Sequence, residues 1–310
     1  MLPYKKLLKQ AWQIVKTNRF LWLFGLFLFW GNILNFVFSQ SNDSSQAINP
    51  SAQDLTNWFN NHIGIALLLF VVIILFLVIM FVLNYRAKAG LILSVSAIVK
   101  KQPTGFKKEL IAGKKYFWRL VGISILLILA MFLLGLILGG PVILLLNAQL
   151  YFRAAILGLF ALIILLPLTI LLSLMQTTAP LFTVLHDFGI RDSLNASFDL
   201  ISQTWSVLLV YGFLLLGISI IGFIGSILGL SILSVPFVIL SYFVYYKVGL
   251  TLAMICASTG LIIGIIFFLM AQAFIALYVQ TAWVLAFMEI VKPIIIKSPE
   301  AIVTEPVSEG

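Results

Sequence analysis

Two stretches of this chain, residues 207–246 and 248–288, run for 40 and 41 residues without a single Asp, Glu, Lys, Arg or His, and only Lys247 parts them. Each exceeds the roughly 20 predominantly apolar residues that a helix needs to cross a bilayer. Backbone polar groups have no partner in hydrocarbon, so such segments must satisfy them internally, and the reading is all-α. Further apolar runs occupy 20–38, 63–83, 120–138 and 154–175; with 207–228 and 261–283 they make six expected spans. Splitting each long tract into two short helices would raise the number to eight. Overall, 62 % of the 310 residues are hydrophobic, 9 % are charged, and mean hydropathy is +1.16. A soluble domain cannot bury that much apolar surface.

The expectation is therefore a polytopic helical membrane domain over 1–291, followed by a flexible cytoplasmic tail over 292–310. That tail carries Pro293, Pro299 and Pro306 among acidic residues and has no apolar face. Residues 121–152 are broken by Gly139, Gly140 and Pro141, which reads as a helix, a turn and a second apolar element. The basic N-terminus is too long for a signal peptide and no small-residue cleavage pattern follows, so 20–38 is read as an uncleaved span.

Charge sets the expected orientation. Fourteen of the 19 Lys and Arg lie in the first 119 residues, in the stretches 5–19 and 86–119, whereas 39–62 has none. Positive residues stay inside, which puts the N-terminus, the 86–119 connection and, with an even number of spans, the C-terminus in the cytoplasm of a bacterial cell with the chain in its inner membrane. The net charge of +9 adjoins spans and carries no nucleic-acid-binding signature, so anionic phospholipid is the expected partner and nucleic acid is not. A membrane-protein partner or a second copy is also allowed.

A weak threefold repeat, covering 1–84, 100–185 and 187–290, places an amphipathic stretch before an aromatic residue and a span. Its apolar anchors are Leu8 and Trp12, Phe106 and Leu110, then Leu194 and Phe198; Phe20, Phe117 and Trp205 mark the start of each span. The basic members present Lys5, Lys9 and Lys16, and Lys107, Lys108, Lys114 and Lys115, as candidate lipid-headgroup contacts. Thr104 is the expected cap of the second amphipathic helix. In the third, Asp187, Asp192 and Asp199 outnumber Arg191, which raises the expectation of lysine–aspartate pairs between repeats.

Chemistry is sparse. The lone Cys256 allows no intrachain disulfide, His62 and His186 fall on opposite sides of the expected topology, and no metal, phosphate-loop, dinucleotide or serine-elbow motif occurs. No cofactor and no catalytic residue is implied, and an enzyme is disfavoured. Gly135 and Gly139, like Gly225 and Gly229, have the spacing of small-residue helix contacts. The uncharged polar residues Asn32, Asn35, Asn147, Gln149, Gln176, Gln272 and Gln280 are candidates for a polar path, with ordinary interhelical hydrogen bonding as the simpler role. No ionisable group is placed at mid-span.

The stretches FKKELIAGKKYFWRL (106–120) and GIRDSLNASFDLISQTW (189–205), each set before a span, resemble uncharacterised bacterial multi-span membrane proteins related to the membrane domain of glycerophosphoryl diester phosphodiesterases. The resemblance implies a helical membrane region over most of 1–290. Its enzymatic relatives carry a catalytic barrel of about 250 residues, for which the 18 residues after Lys292 leave no room, so their catalytic residues have no counterpart here. The sequence thus favours a non-enzymatic protein that organises lipid or a protein partner through its basic helices. The alternative is a transporter or channel for a small or amphiphilic solute. A water-accessible cavity lined by Gln272, Gln280 or Asn147 would favour the alternative.

Cysteines placed within 39–62 of a Cys256→Ser chain are expected to react with a membrane-impermeant maleimide added outside intact cells. Reaction from the cytoplasmic side alone would reverse the orientation.

Overall fold

The computed structural model describes residues 3–29, 63–247 and 249–297. Among them every regular element is helical: α1 (Tyr4–Thr17), α2 (21–29), α3 (Ile63–Val99), α4 (Phe106–Ala112) with a 3-10 turn (Gly113–Tyr116), α5 (Phe117–Asn147), α6 (Tyr151–His186), α7 (Ile190–Lys247) and α8 (Leu250–Lys297). Five helices are long and apolar enough to cross a membrane, ending respectively at Val99, Asn147, His186, Lys247 and Val291. The chain is thus built as a multi-pass membrane protein. The expected span at 20–38 begins in α2, and its remainder, with Asn32, Asn35, the 39–62 loop, His62 and the end of the tail, lies outside the described residues.

Large apolar side chains cover the outer faces instead of the interior alone. Phe70 and Leu75 on α3, Phe132 and Ile137 on α5, Phe160 on α6 and Ile221 on α7 are all exposed. In water this would be an aggregation surface; against lipid tails it costs nothing.

Several expectations change. Gly139, Gly140 and Pro141 do not break the chain: α5 continues through them to Asn147. A proline frees one carbonyl and kinks a helix, and a membrane helix tolerates that where no water competes for its other bonds. Pro167, Pro180 and Pro236 likewise lie inside α6 and α7. The tract 207–246 belongs to one continuous helix, as does 250–288 of the second tract, and neither is split in two. They meet in a tight turn at Gly249, whose φ of +126° is a conformation that side chains rarely adopt. The 86–119 stretch is not a connection throughout, since α3 carries Arg86 and Lys88 on to Val99. Thr104 does not cap α4: Gly105 is the N-cap, and the Thr104 hydroxyl instead donates to Glu109 Oε1 at 3.3 Å. Gly135, Gly139 and Gly225 face open space, and only Gly229 packs closely, against Phe267.

Among the described residues a short helix, a break and a further helix follow one another in three places. The breaks fall at Asn18–Arg19 before Phe20, at the 3-10 turn before Phe117, and at Thr204 (φ −126°, ψ 24°) before Trp205. The core gathers at this end of the bundle. Leu7, Ala11, Ile14 and Val15 of α1 are buried, and the Tyr278 hydroxyl of α8 donates to the Leu8 carbonyl at 3.3 Å. Leu8 is half-buried and Trp12 half-exposed, its ring edge-on to Phe274 and Tyr278, so α1 lays its apolar face on protein. Phe106 of α4 packs on Phe24 of α2 at 4.7 Å. Tyr211 of α7 is fully buried, donates to the Ala282 carbonyl of α8 at 2.9 Å, and stacks on Tyr4.

Two glycines permit the closest approaches. A Cβ at Gly25 would lie 2.5 Å from the Ala273 carbonyl oxygen, and one at Gly113 would lie 2.6 Å from that of Arg86. Gly25→Val and Gly113→Val are each expected to destabilise the protein by about 1–3 kcal/mol through overpacking. Gly135→Ala, facing open space, should leave the detergent unfolding midpoint unchanged.

Candidate functional site

Helix periodicity turns the few polar side chains of the long helices onto inward stripes. Asn84 and Lys88 of α3 are four apart; so are Ser173 and Thr177 of α6, beside Gln176; Gln272 and Gln280 of α8 are eight apart with Ala276 between them. These stripes converge, with Tyr85, Ser124 of α5 and Ser219 of α7, on a cavity of about 490 Å³. Leu28, Phe29, Ile275, Ala276 and Val279 supply its apolar wall. The volume is that of a small-ligand site, for which roughly 300–1,000 Å³ is typical.

Lys88 and Gln280 are each eleven residues, about 16 Å along a helix, from Val99 and Val291, and Gln176 is ten from His186; Lys88 lies beside the 3-10 turn, whose Gly113 abuts Arg86, and Gln280 beside α1, whose Leu8 carbonyl accepts from Tyr278.

Hydrogen bonds fix part of the lining. Asn84 Nδ2 donates to the Phe27 carbonyl at 2.8 Å and ties α3 to α2. Gln272 Nε2 donates to Ser226 Oγ at 2.6 Å and ties α8 to α7. Thr177 and Ser219 return their hydroxyls to the helix carbonyls of Ser173 and Leu215. Two donors stand out among the lining groups that have no such bond. Gln280 Nε2 is buried with no acceptor, and Lys88 has neither an ion pair nor a hydrogen bond among the described residues. Among the described residues the lining holds no Asp or Glu. A buried donor without a partner carries a desolvation cost of about 1–3 kcal/mol, and more for a charged group.

Of the five candidate path residues that lie among the described ones, which leaves out Asn32 and Asn35, the structure brings Gln176, Gln272 and Gln280 together here. Asn147 and Gln149 lie exposed at the turn between α5 and α6, away from the cavity. Lys88 was not singled out in the sequence, because two cations so close together read as the start of a loop. The apolar run 90–99 resumes immediately after them, with no breaker before Pro103, and that is the signal that α3 continues.

All seven candidate headgroup lysines, Lys5, Lys9, Lys16, Lys107, Lys108, Lys114 and Lys115, are exposed. Lys9, with Lys6, also lines a groove of about 610 Å³ between α1 and the end of α8. Lys115 has a protein partner: its Nζ lies 2.6 Å from Asp187 Oδ2, while Arg119 reaches Oδ1 at 2.7 Å. It is a lysine–aspartate pair between the stretches 100–185 and 187–290. Asp187 caps α6 in the left-handed conformation (φ 58°), which short polar side chains tolerate. Just beyond it Thr183 and Thr178 of α6 are hydrogen-bonded to Ser193 and Ser197 of α7, which holds the amphipathic start of α7 against α6.

Comparison with protein-family models, curated proteins and solved structures gives no match for this chain.

The hydrogen bond from Lys115, seconded by that from Arg119, holds the Asp187 carboxyl below its ordinary value of 3.8. A lowered carboxyl pKa contributes stability that is present above the unfolded value and is lost as pH falls through the folded one. Acidification below about pH 4 is therefore expected to loosen the α5–α6 ends in the wild type, while Asp187→Asn should remove that component of the acid response. Thermal midpoints across an acid series measure both.

Proposed function

We propose that this chain is a transporter or channel for a small or amphiphilic solute, with the cavity among α2, α3, α5, α6, α7 and α8 as its binding site. The observation that carries this reading is the convergence of Gln176, Gln272, Gln280 and Lys88 on one internal space within helices long enough to span a membrane. Ionisable and polar groups are costly at membrane depth, and where they line an internal space they mark a solute pathway. Ordinary interhelical hydrogen bonding accounts for Asn84 and Gln272, whose amides are paired, and leaves Lys88 and Gln280 without a role.

The proposal includes six spans in a threefold repeat, both termini in the cytoplasm and a bacterial inner-membrane location. The three equivalent breaks before Phe20, Phe117 and Trp205 support the repeat, as does the position of 106–120 and 189–205 on two of the short-helix-to-span junctions. Kinship with the membrane regions that those two stretches resemble belongs to the same proposal. A second reading, a scaffold for anionic lipid or a protein partner, is favoured by the exposed lysines on α1, α4 and the 3-10 turn.

Two measurements separate the readings. Cysteines at Ser124, Ser173 and Ser219 of a Cys256→Ser chain should react with a charged, water-soluble methanethiosulfonate, whereas one at the outward-facing Ile163 should not. In liposomes screened with a mixed panel of solutes and lipids, Ser219→Trp should abolish flux, and exchange of Lys107, Lys108 and Lys114 for Gln should leave it. The opposite pattern would favour the scaffold.

A further inference from the structure

Resting on the transport reading of the same cavity, we infer that its ligand is an amphiphilic anion, a carboxylate or phosphate monoester on a short apolar chain, with its charged end at Lys88. The polar wall is unbalanced in one direction. The Lys88 ammonium is the one charge among the described lining residues, no carboxylate there answers it, and the Gln280 amide nitrogen is buried without an acceptor. A neutral alcohol would leave the ammonium without a counter-charge, and a cation would be repelled. An anion with two or three acceptor oxygens satisfies Lys88 and Gln280 together through charge-assisted bonds, which are the stronger kind.

The apolar part of the lining states the rest of the ligand. Leu28, Phe29, Ile275 and Val279 present hydrocarbon and offer no side-chain polar group. A fully polar anion such as inorganic phosphate would be stripped of water against this wall with nothing in return. A short alkyl chain matches it. The exposed lysines around α1 and α4 act in the same direction, since a positive surface raises the local concentration of anions at that end of the bundle. The anionic group has two sources, a free alkyl carboxylate or phosphate from water, or the headgroup of a lipid entering from the side.

The test uses the full chain in phosphatidylcholine nanodiscs, with calorimetric binding of hexanoate, hexyl phosphate, hexanol and hexylammonium. The signal from the cavity-filled Ser219→Trp protein, which reports partition into lipid, is subtracted. Hexanoate and hexyl phosphate are expected to bind about 10- to 100-fold more tightly than hexanol, the difference that one hydrogen bond to a charged group makes. Hexylammonium should not bind. Lys88→Met should reduce both anions to the level of hexanol, and Lys88→Arg should keep the preference. The wild-type ranking needs no variant, so it stands if Lys88→Met does not fold. Phosphatidic acid in the nanodiscs that competes with hexyl phosphate identifies the lipid source; its failure to compete identifies the free anion, and either result supports the inference.

Equal binding of hexanol and hexanoate, or a preference that survives Lys88→Met, overturns the anion assignment and leaves the transport reading intact. Absence of binding by all four probes also overturns it. If the cavity cysteines then prove unreactive towards the aqueous reagent, the transport reading falls with it.

Discussion

Hydrocarbon offers no hydrogen bonds, and this one property of the surroundings organises the whole molecule. It confines the backbone to helices, allows Phe, Ile and Leu to cover the outer faces, and favours turning polar side chains such as Asn84, Gln272 and Gln280 inward. Once turned inward they must bond to one another or to a guest. Asn84 and Gln272 do the first, clamping α3 to α2 and α8 to α7. Lys88 and Gln280 lack such partners among the described residues, and so the same constraint that builds the bundle leaves a demand inside it.

The stability of the bundle is concentrated at one end. There α1 and α4 press their apolar faces onto α8 and α2, Tyr211 and Tyr278 spend their hydroxyls on carbonyls of other elements, and Asp187 joins the start of α5 to the end of α6. Surface ion pairs of this kind contribute about 0–1 kcal/mol each, so apolar contacts such as Phe106 on Phe24 carry most of the docking. Towards the other end the helices run on in pairs. From Trp205 to Lys247, α7 is about 64 Å long at 1.5 Å per residue, twice the thickness of a hydrocarbon core of roughly 30 Å, and its last buried residue is Ser226. The cavity lies where the tight end gives way to these sparsely buried hairpins, so the packed helices hold the site.

Much of this architecture is legible in the residues themselves. Uncharged runs announce helices, and the junctions at Phe117 and Trp205 fall where aromatic residues follow amphipathic stretches. The glycine and proline signals misled, because a soluble chain would turn at Gly139–Gly140–Pro141, whereas a helix in lipid has no water to replace its remaining bonds. The short helices were legible as amphipathic but not in what they touch. Leu7 and Ile14, not Trp12, face the core, since helical periodicity gives the faces and only the neighbouring helix decides which of them it covers.

The site divides along the same line. Gln176, Gln272 and Gln280 stood out as polar residues in apolar surroundings, a property of each local segment. That they share one space with Lys88, while Asn147 and Gln149 do not, depends on how six helices pack, and no local pattern contains that information. Sequence alone determined the solvent this protein folds in, because hydropathy is additive along the chain. Tertiary structure alone decided which polar groups meet and which charge is left unanswered, because those outcomes depend on distances between residues far apart in the chain.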